Sequence, residues 1–215
     1  MRKRNHRETK CLLLNASIVM IALCLFLVSG CIIESKTTRV DIEKGVDDGA
    51  IYILRELYPA TIAGYTNGGL EGAFVGTVTS GGGDPTISRA LYRFNVSSWN
   101  GKDITFHCYC SLKQGNPDKI EVYVIDDFGP LPEEQKGDPH DVSSVWNLAD
   151  AGTKVGEVNV DQGKWFKITI PSNVVKPGGY LALMLKLSNE DAEGDNAYAV
   201  STSESIQKPY ITWEK

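Results

Sequence analysis

ITFHCYCSL, residues 104–112, sorts its side chains by parity: Ile104, Phe106, Cys108, Cys110 and Leu112 point one way, and Thr105, His107, Tyr109 and Ser111 point the other. A period of two with one apolar set marks a strand that buries one face. The reading extends outward from there. In ISRALYRFNV, residues 87–96, Ala90, Tyr92, Phe94 and Val96 form an inward set opposite Arg89, Leu91, Arg93 and Asn95. Residues 180–188 add an apolar row of Leu181, Leu183, Leu185 and Leu187. Further runs of β-formers at 50–54, 73–78, 119–126, 155–160, 165–170, 197–202 and 209–213 are separated by Gly, Pro, Asn and Asp. The only helix candidates, 132–136 and 142–148, are too short to carry a fold. Many short strands with one buried face each predict an all-β fold, a two-sheet antiparallel β-sandwich of jelly-roll type, over residues 49–215.

What precedes that domain has a different composition. The chain has 215 residues, with 22 Lys and Arg against 27 Asp and Glu, a net charge of −5. Its first ten residues, MRKRNHRETK, hold five basic side chains and one acid, so the chain from Cys31 onward carries 17 basic against 26 acidic residues, or −9. A basic start followed by an apolar run is an export signal, with the positive end retained in the cytoplasm. The run ends in Leu27-Val28-Ser29-Gly30-Cys31, which looks like a lipobox with Cys31 as the lipidated residue. The 22 residues 12–33 also suffice to span a bilayer as an uncleaved anchor, for which about 20 are needed. Both readings put the remaining chain on the outer side of a membrane, held by a lipid or a single helix. Residues 31–48 read as a polar tether. An acidic exported domain argues against nucleic acid as a partner.

Three segments in order resemble the DNRLRE-type domains. SRALYRFNVSSW, residues 88–99, is similar to their Arg-x-Leu-x-Arg-Phe-Asp-x-Ser signature, with Asn95 in place of Asp. DVSSVWNLADAGTKVGEV, residues 141–158, resembles their Trp-Asn loop, and YAVSTSESIQKPYITW, residues 198–213, their closing Ser-x-Glu-to-Pro segment without its arginine. The resemblance covers roughly residues 48–215. It implies an extracellular β-sandwich associated with polysaccharide binding, of the kind that serves as a carbohydrate-binding module.

The residues themselves are read for the same chemistry. Sugars bind aromatic faces through C–H stacking, with amides, carboxylates or Arg meeting the hydroxyls. Aromatic candidates on loops or outward faces are Tyr58, Tyr65, Trp99, Tyr109, Phe128 and Trp146; Trp99 and Trp146 also suit caps on the core. His107 and Tyr109 share one strand face, with Arg89 and Arg93 on a neighbouring outward face. The expected ligand-binding set is Tyr65, His107, Tyr109, Trp146, Arg89 and Arg93. Arg93 also suits an ion pair with Glu204 that ties the last strand to an earlier one. Trp165 and Trp213 alternate like core or sheet-face residues and stay outside the set.

Asn189, Glu190, Asp191, Glu193, Asp195 and Asn196 concentrate oxygen donors in one turn, with Asp191, Glu193 and Asp195 as calcium ligands; a solvated acidic turn satisfies the same residues. Asp126, Asp127, Asp138 and Asp141 form a second acidic zone. Cys108 and Cys110 lie on one strand face, where two buried thiols fit better than a strained bridge. No Gly-x-Ser-x-Gly elbow or His-Glu-x-x-His pair is present. The sequence therefore predicts a surface-anchored, non-catalytic binding protein for an envelope or environmental polysaccharide. A structural or assembly lipoprotein that binds other envelope proteins, and a polysaccharide-active enzyme, are the alternatives.

Overall fold

The computed structural model describes residues 36–42, 47–54, 63–67, 72–79, 85–131, 143–190 and 194–215. Twelve strands are antiparallel neighbours in one curled sheet: β1 (Thr37–Asp41), β2 (Asp48–Leu54), β3 (Ala63–Asn67), β4 (Ala73–Val78), β5 (Thr86–Asn95), β6 (Ile104–Gln114), β7 (Ile120–Ile125), β8 (Thr153–Val158), β9 (Lys164–Ile170), β10 (Tyr180–Leu187), β11 (Asn196–Val200) and β12 (Tyr210–Glu214). The two layers expected from the sequence are therefore halves of a single hydrogen-bonded sheet. One half centres on β6, which pairs with β9, β11 and β12, with β1 beyond β12. The other centres on β5, which pairs with β2 and β10, with β3, β7 and β8 farther out.

Strand β4 closes the corner by bonding to both β11 and β5. Gly76 sits at that corner with φ 117°. A Cβ there would lie 2.3 Å from the Asn196 carbonyl oxygen, so only glycine admits both the backbone conformation and the approach.

The parity reading of β6 holds from Ile104 to Cys110 and fails at Leu112, expected inward but 38 % exposed, where the register with β11 shifts. Ile104, Phe106, Cys108 and Cys110 are buried, and they meet Tyr92, Phe94, Leu181, Leu183 and Leu185 from the opposite half. Phe106 lies 5.3 Å from Tyr92 and 6.0 Å from Phe94, ring centre to ring centre, in the inclined packing aromatic rings prefer. Both cysteines are buried and free, and burial pushes each thiol up to about 11.

Two elements escaped the sequence reading. Thr37–Asp41, inside the segment expected to be a polar tether, is β1 and pairs residue for residue with β12. Ala63–Asn67 is β3, an edge strand on β2. Short polar edge strands take their ladder bonds from a neighbour rather than from their own propensity. The helix expected at 142–148 appears as two short helices, α1 (Ser143–Trp146) and α2 (Leu148–Ala151). The candidate at 132–136 lies outside the described residues.

Those short helices cover the outer face of the β5 half. A second apolar cluster forms there from Ile51, Ile53, Ile87, Leu91, Ile125, Leu131, Trp146, Ala149, Ala182 and Met184. Strand β5 thus buries side chains on both faces. No helix among the described residues is long and apolar enough to cross a membrane.

Candidate functional site

Among the described residues the outer face of the β6 half carries no such cover, and its side chains are set by register. Tyr210 on β12 lies opposite His107 on β6, which lies opposite Lys167 on β9. Tyr109 lies opposite Trp165 one step along. Parity explains this line: in KWFKITI, Phe166, Ile168 and Ile170 are inward, so Trp165, Lys167 and Thr169 face out.

The rings form one connected group. His107 stacks on Tyr210 at 4.4 Å with 9° between the planes. Trp165 stands at 61° to Tyr210, 5.5 Å away, and at 61° to Tyr109, 5.6 Å away. The Arg39 guanidinium lies 3.8 Å over the Tyr210 ring and donates from Nε to Asp41 Oδ1 at 2.9 Å. Two groups this near one ring must lie on opposite faces, so Tyr210 is held between Arg39 and His107. Trp165 is 46 % exposed and offers the open ring of the group.

Two cations act on His107 although the domain is acidic. Burial lowers the His107 pKa first, and the cations Lys167 and Arg39 lower it further. His107 Nε2 lies 3.1 Å from Thr212 Oγ1, which fixes the ring. Lys167 and Lys208 have no ion-pair partner among the described residues.

The loop 201–209 between β11 and β12 rises over this face and ends in Ile206, 95 % exposed. Hollows lie on either side of its tip. One, of about 660 Å³, is lined by Arg39, Asp41, Trp165, Gln207, Lys208 and Tyr210 among others. The other, of about 350 Å³, is lined by Phe74, Tyr109, Ser111, Ser201, Ser205 and Gln207 among others. Ile206 and Gln207 border both.

The loop is tied down at its base by a buried carboxylate. Asp48, fully buried at the start of β2, accepts hydrogen bonds from the Ser203 backbone N–H and lies 2.8 Å from Ser203 Oγ. Ser203 Oγ also lies 2.8 Å from Glu204 Oε1. A hydroxyl has one proton to donate, so two carboxylates on one hydroxyl are best satisfied when Asp48 is protonated and donates to it. Burial raises the Asp48 pKa to about 7, against the lowering effect of the two Ser203 hydrogen bonds.

The expected ligand-binding set divides. His107 and Tyr109 meet on the open face. Arg89 and Trp146 are corrected: both are buried, with the guanidinium 3.9 Å over the indole, bonded to Glu190 at 2.6 and 2.7 Å and to the Trp146 carbonyl oxygen at 2.7 Å. The face read as outward is roofed by α1 and α2. Arg93 is corrected too: it binds Asp127 at 2.6 Å and Asp47 at 2.9 Å and sits over Tyr180, while Glu204 bonds to Ser203. Tyr65 falls on β3, where its side chain is outside the described residues, as are Tyr58 and Cys31.

Asp191 and Glu193 also lie outside the described residues. Asp195 accepts from the Thr79 N–H at 2.8 Å and from Gln114 at 3.1 Å, both of which brace the turn. Glu190 is consumed by Arg89. Among the described residues no group of three metal-ligating side chains is gathered. Trp99 packs against the core and donates its Nε1–H to the Lys102 carbonyl oxygen, a cap as expected.

Trp165, Tyr210, Arg39 and Gln207 were missing from the sequence-derived set. The alternation of KWFKITI and YITWE carried the signal for the first two. No family model and no curated protein matches the chain.

Proposed function

We propose that the chain is a non-catalytic binding protein, held on the outer side of a membrane through Cys31 or its apolar leader, whose open sheet face recognises a polysaccharide. The observation that carries this reading is the uncovered ring group of Trp165, Tyr109 and Tyr210 bordered by Arg39, Gln207 and Lys208. An exposed indole supplies the stacking surface for a sugar, and the guanidinium, amide and ammonium supply hydroxyl-directed donors. The resemblance to DNRLRE-type domains points the same way.

A second reading has one observation of its own. Ile206 at the loop tip is an apolar side chain in full solvent, a form suited to contact with an envelope protein.

The test is a panel of neutral and carboxylated polysaccharides against the full-length chain in detergent, with and without calcium. Retention of at least one polymer, weakened about tenfold or more by Trp165→Ala with the melting temperature unchanged, is expected. An empty panel would sink the glycan reading, and stoichiometric co-purification of a membrane protein, lost on Ile206→Asp, would favour the second.

A further inference from the structure

We infer that the ligand of the open face is the interior of a single, twisted polysaccharide chain, laid along β6 and longer than a disaccharide; this rests on the glycan reading above. A third hollow, of about 440 Å³ and lined by Gly101, Lys102, Asp103, Thr105, Ser172 and Glu214, touches the same outer face. Thr105 borders that hollow, Tyr210 opposite His107 borders the next, and Tyr109 and Ser111 border the last. The first and last touch β6 itself, and the middle one is lined from the adjoining strands β1, β9 and β12. From Thr105 to Ser111 is six steps at about 3.3 Å, a track of about 20 Å.

A crystalline polymer surface needs several coplanar aromatic faces at one height. Here Tyr210 has both faces occupied, by Arg39 and His107. Trp165 is inclined by 61° to each of its ring neighbours. Successive contacts along the track must therefore turn, which a flexible single chain does and a flat sheet of chains does not.

A site for a chain terminus encloses the last sugar so that its terminal hydroxyls are read. Each of these hollows opens to solvent, and the two at the loop tip share Ile206 and Gln207 as a ridge between them. A chain can pass beside the ridge and continue.

The test uses a ladder of oligosaccharides, dimer to hexamer, cut from whichever polymer the panel retains, titrated calorimetrically into the full-length chain. A second ladder is reduced with borohydride, which opens the ring at the reducing end. Affinity is expected to rise about tenfold or more from dimer to tetramer and to change less than about twofold on reduction. Tyr109→Ala is expected to flatten the length dependence. Full affinity at the dimer, a tenfold loss on reduction, or equal retention on crystalline cellulose or chitin would each overturn this inference while leaving the glycan reading intact. A panel that retains nothing overturns both.

Discussion

Two arginines lie over aromatic rings at almost the same distance, 3.9 Å for Arg89 on Trp146 and 3.8 Å for Arg39 on Tyr210. Each also bonds a carboxylate, Glu190 and Asp41 respectively. Their settings are opposite. Arg89 and Glu190 have side chains 5 % and 3 % exposed, beneath the short helices on the β5 half; Arg39 and Asp41 are 52 % and 48 % exposed on the uncovered β6 half. The same contact fastens a roof in one place and presents groups to solvent in the other. Chemistry alone does not distinguish a covered cluster from an open one; the presence of a covering layer does.

Breaking the covered cluster is expected to give the largest effect. Arg89→Ala leaves Glu190 as a buried charge with Lys186 3.9 Å away as its remaining cation, and destabilisation of about 3–5 kcal/mol is expected. In a thermal melt this is a fall of roughly 10 °C. A melt within a degree or two of the parent would mean that the roof does not depend on the pair, and the contrast between the faces would lose its energetic side.

Asp48 links the two halves, because it stands on β2 of the covered half and holds the loop that walls the open one. Its carboxyl lies at about 7 in the folded protein against 3.8 in the unfolded chain. The folded state therefore binds this proton more tightly, and its contribution to stability is complete below about pH 4, falls as pH rises through 7, and is constant above. The span is on the order of 4 kcal/mol. Asp48→Asn keeps an acceptor for the Ser203 N–H and an N–H donor for its hydroxyl, so denaturant titrations of this variant between pH 4 and 8 should lose that slope. An unchanged slope would assign the pH dependence to other groups and leave the loop tie without a titrating member.

The smallest effect is expected at the open cluster. Arg39→Ala removes a solvent-exposed ion pair and should change stability by less than about 1 kcal/mol. The measurement is a urea midpoint beside that of Arg89→Ala. Equal losses in the two variants would erase the distinction between the faces.

The sequence was most legible where a strand buries one face against the core. Parity assigned both sides of β6 correctly from Ile104 to Cys110, missing Leu112 where the register with β11 shifts, and ten of the strands were located to within a few residues. Parity reports which side chains share a face, and is silent on whether that face is wet. Arg89 and Leu91 share the outer face of β5, and only the packing of 143–151 against it, distant in sequence, buries them. The same silence hid the open site. Trp165 is out of phase with Phe166, Ile168 and Ile170 and was legible as outward, yet its value depends on Tyr210 and Arg39, brought beside it by β12 and by the unforeseen β1.

Strand β1 has a mechanical consequence. It is the first strand of the sheet, and Arg39 and Asp41 on it border the open face. On the proposed reading, a tug on a polymer held there and resisted upstream of Thr37 would travel through β1 and its five pairs with β12. A pull along the strand axis loads those pairs together, in shear, so they share the force and do not peel singly.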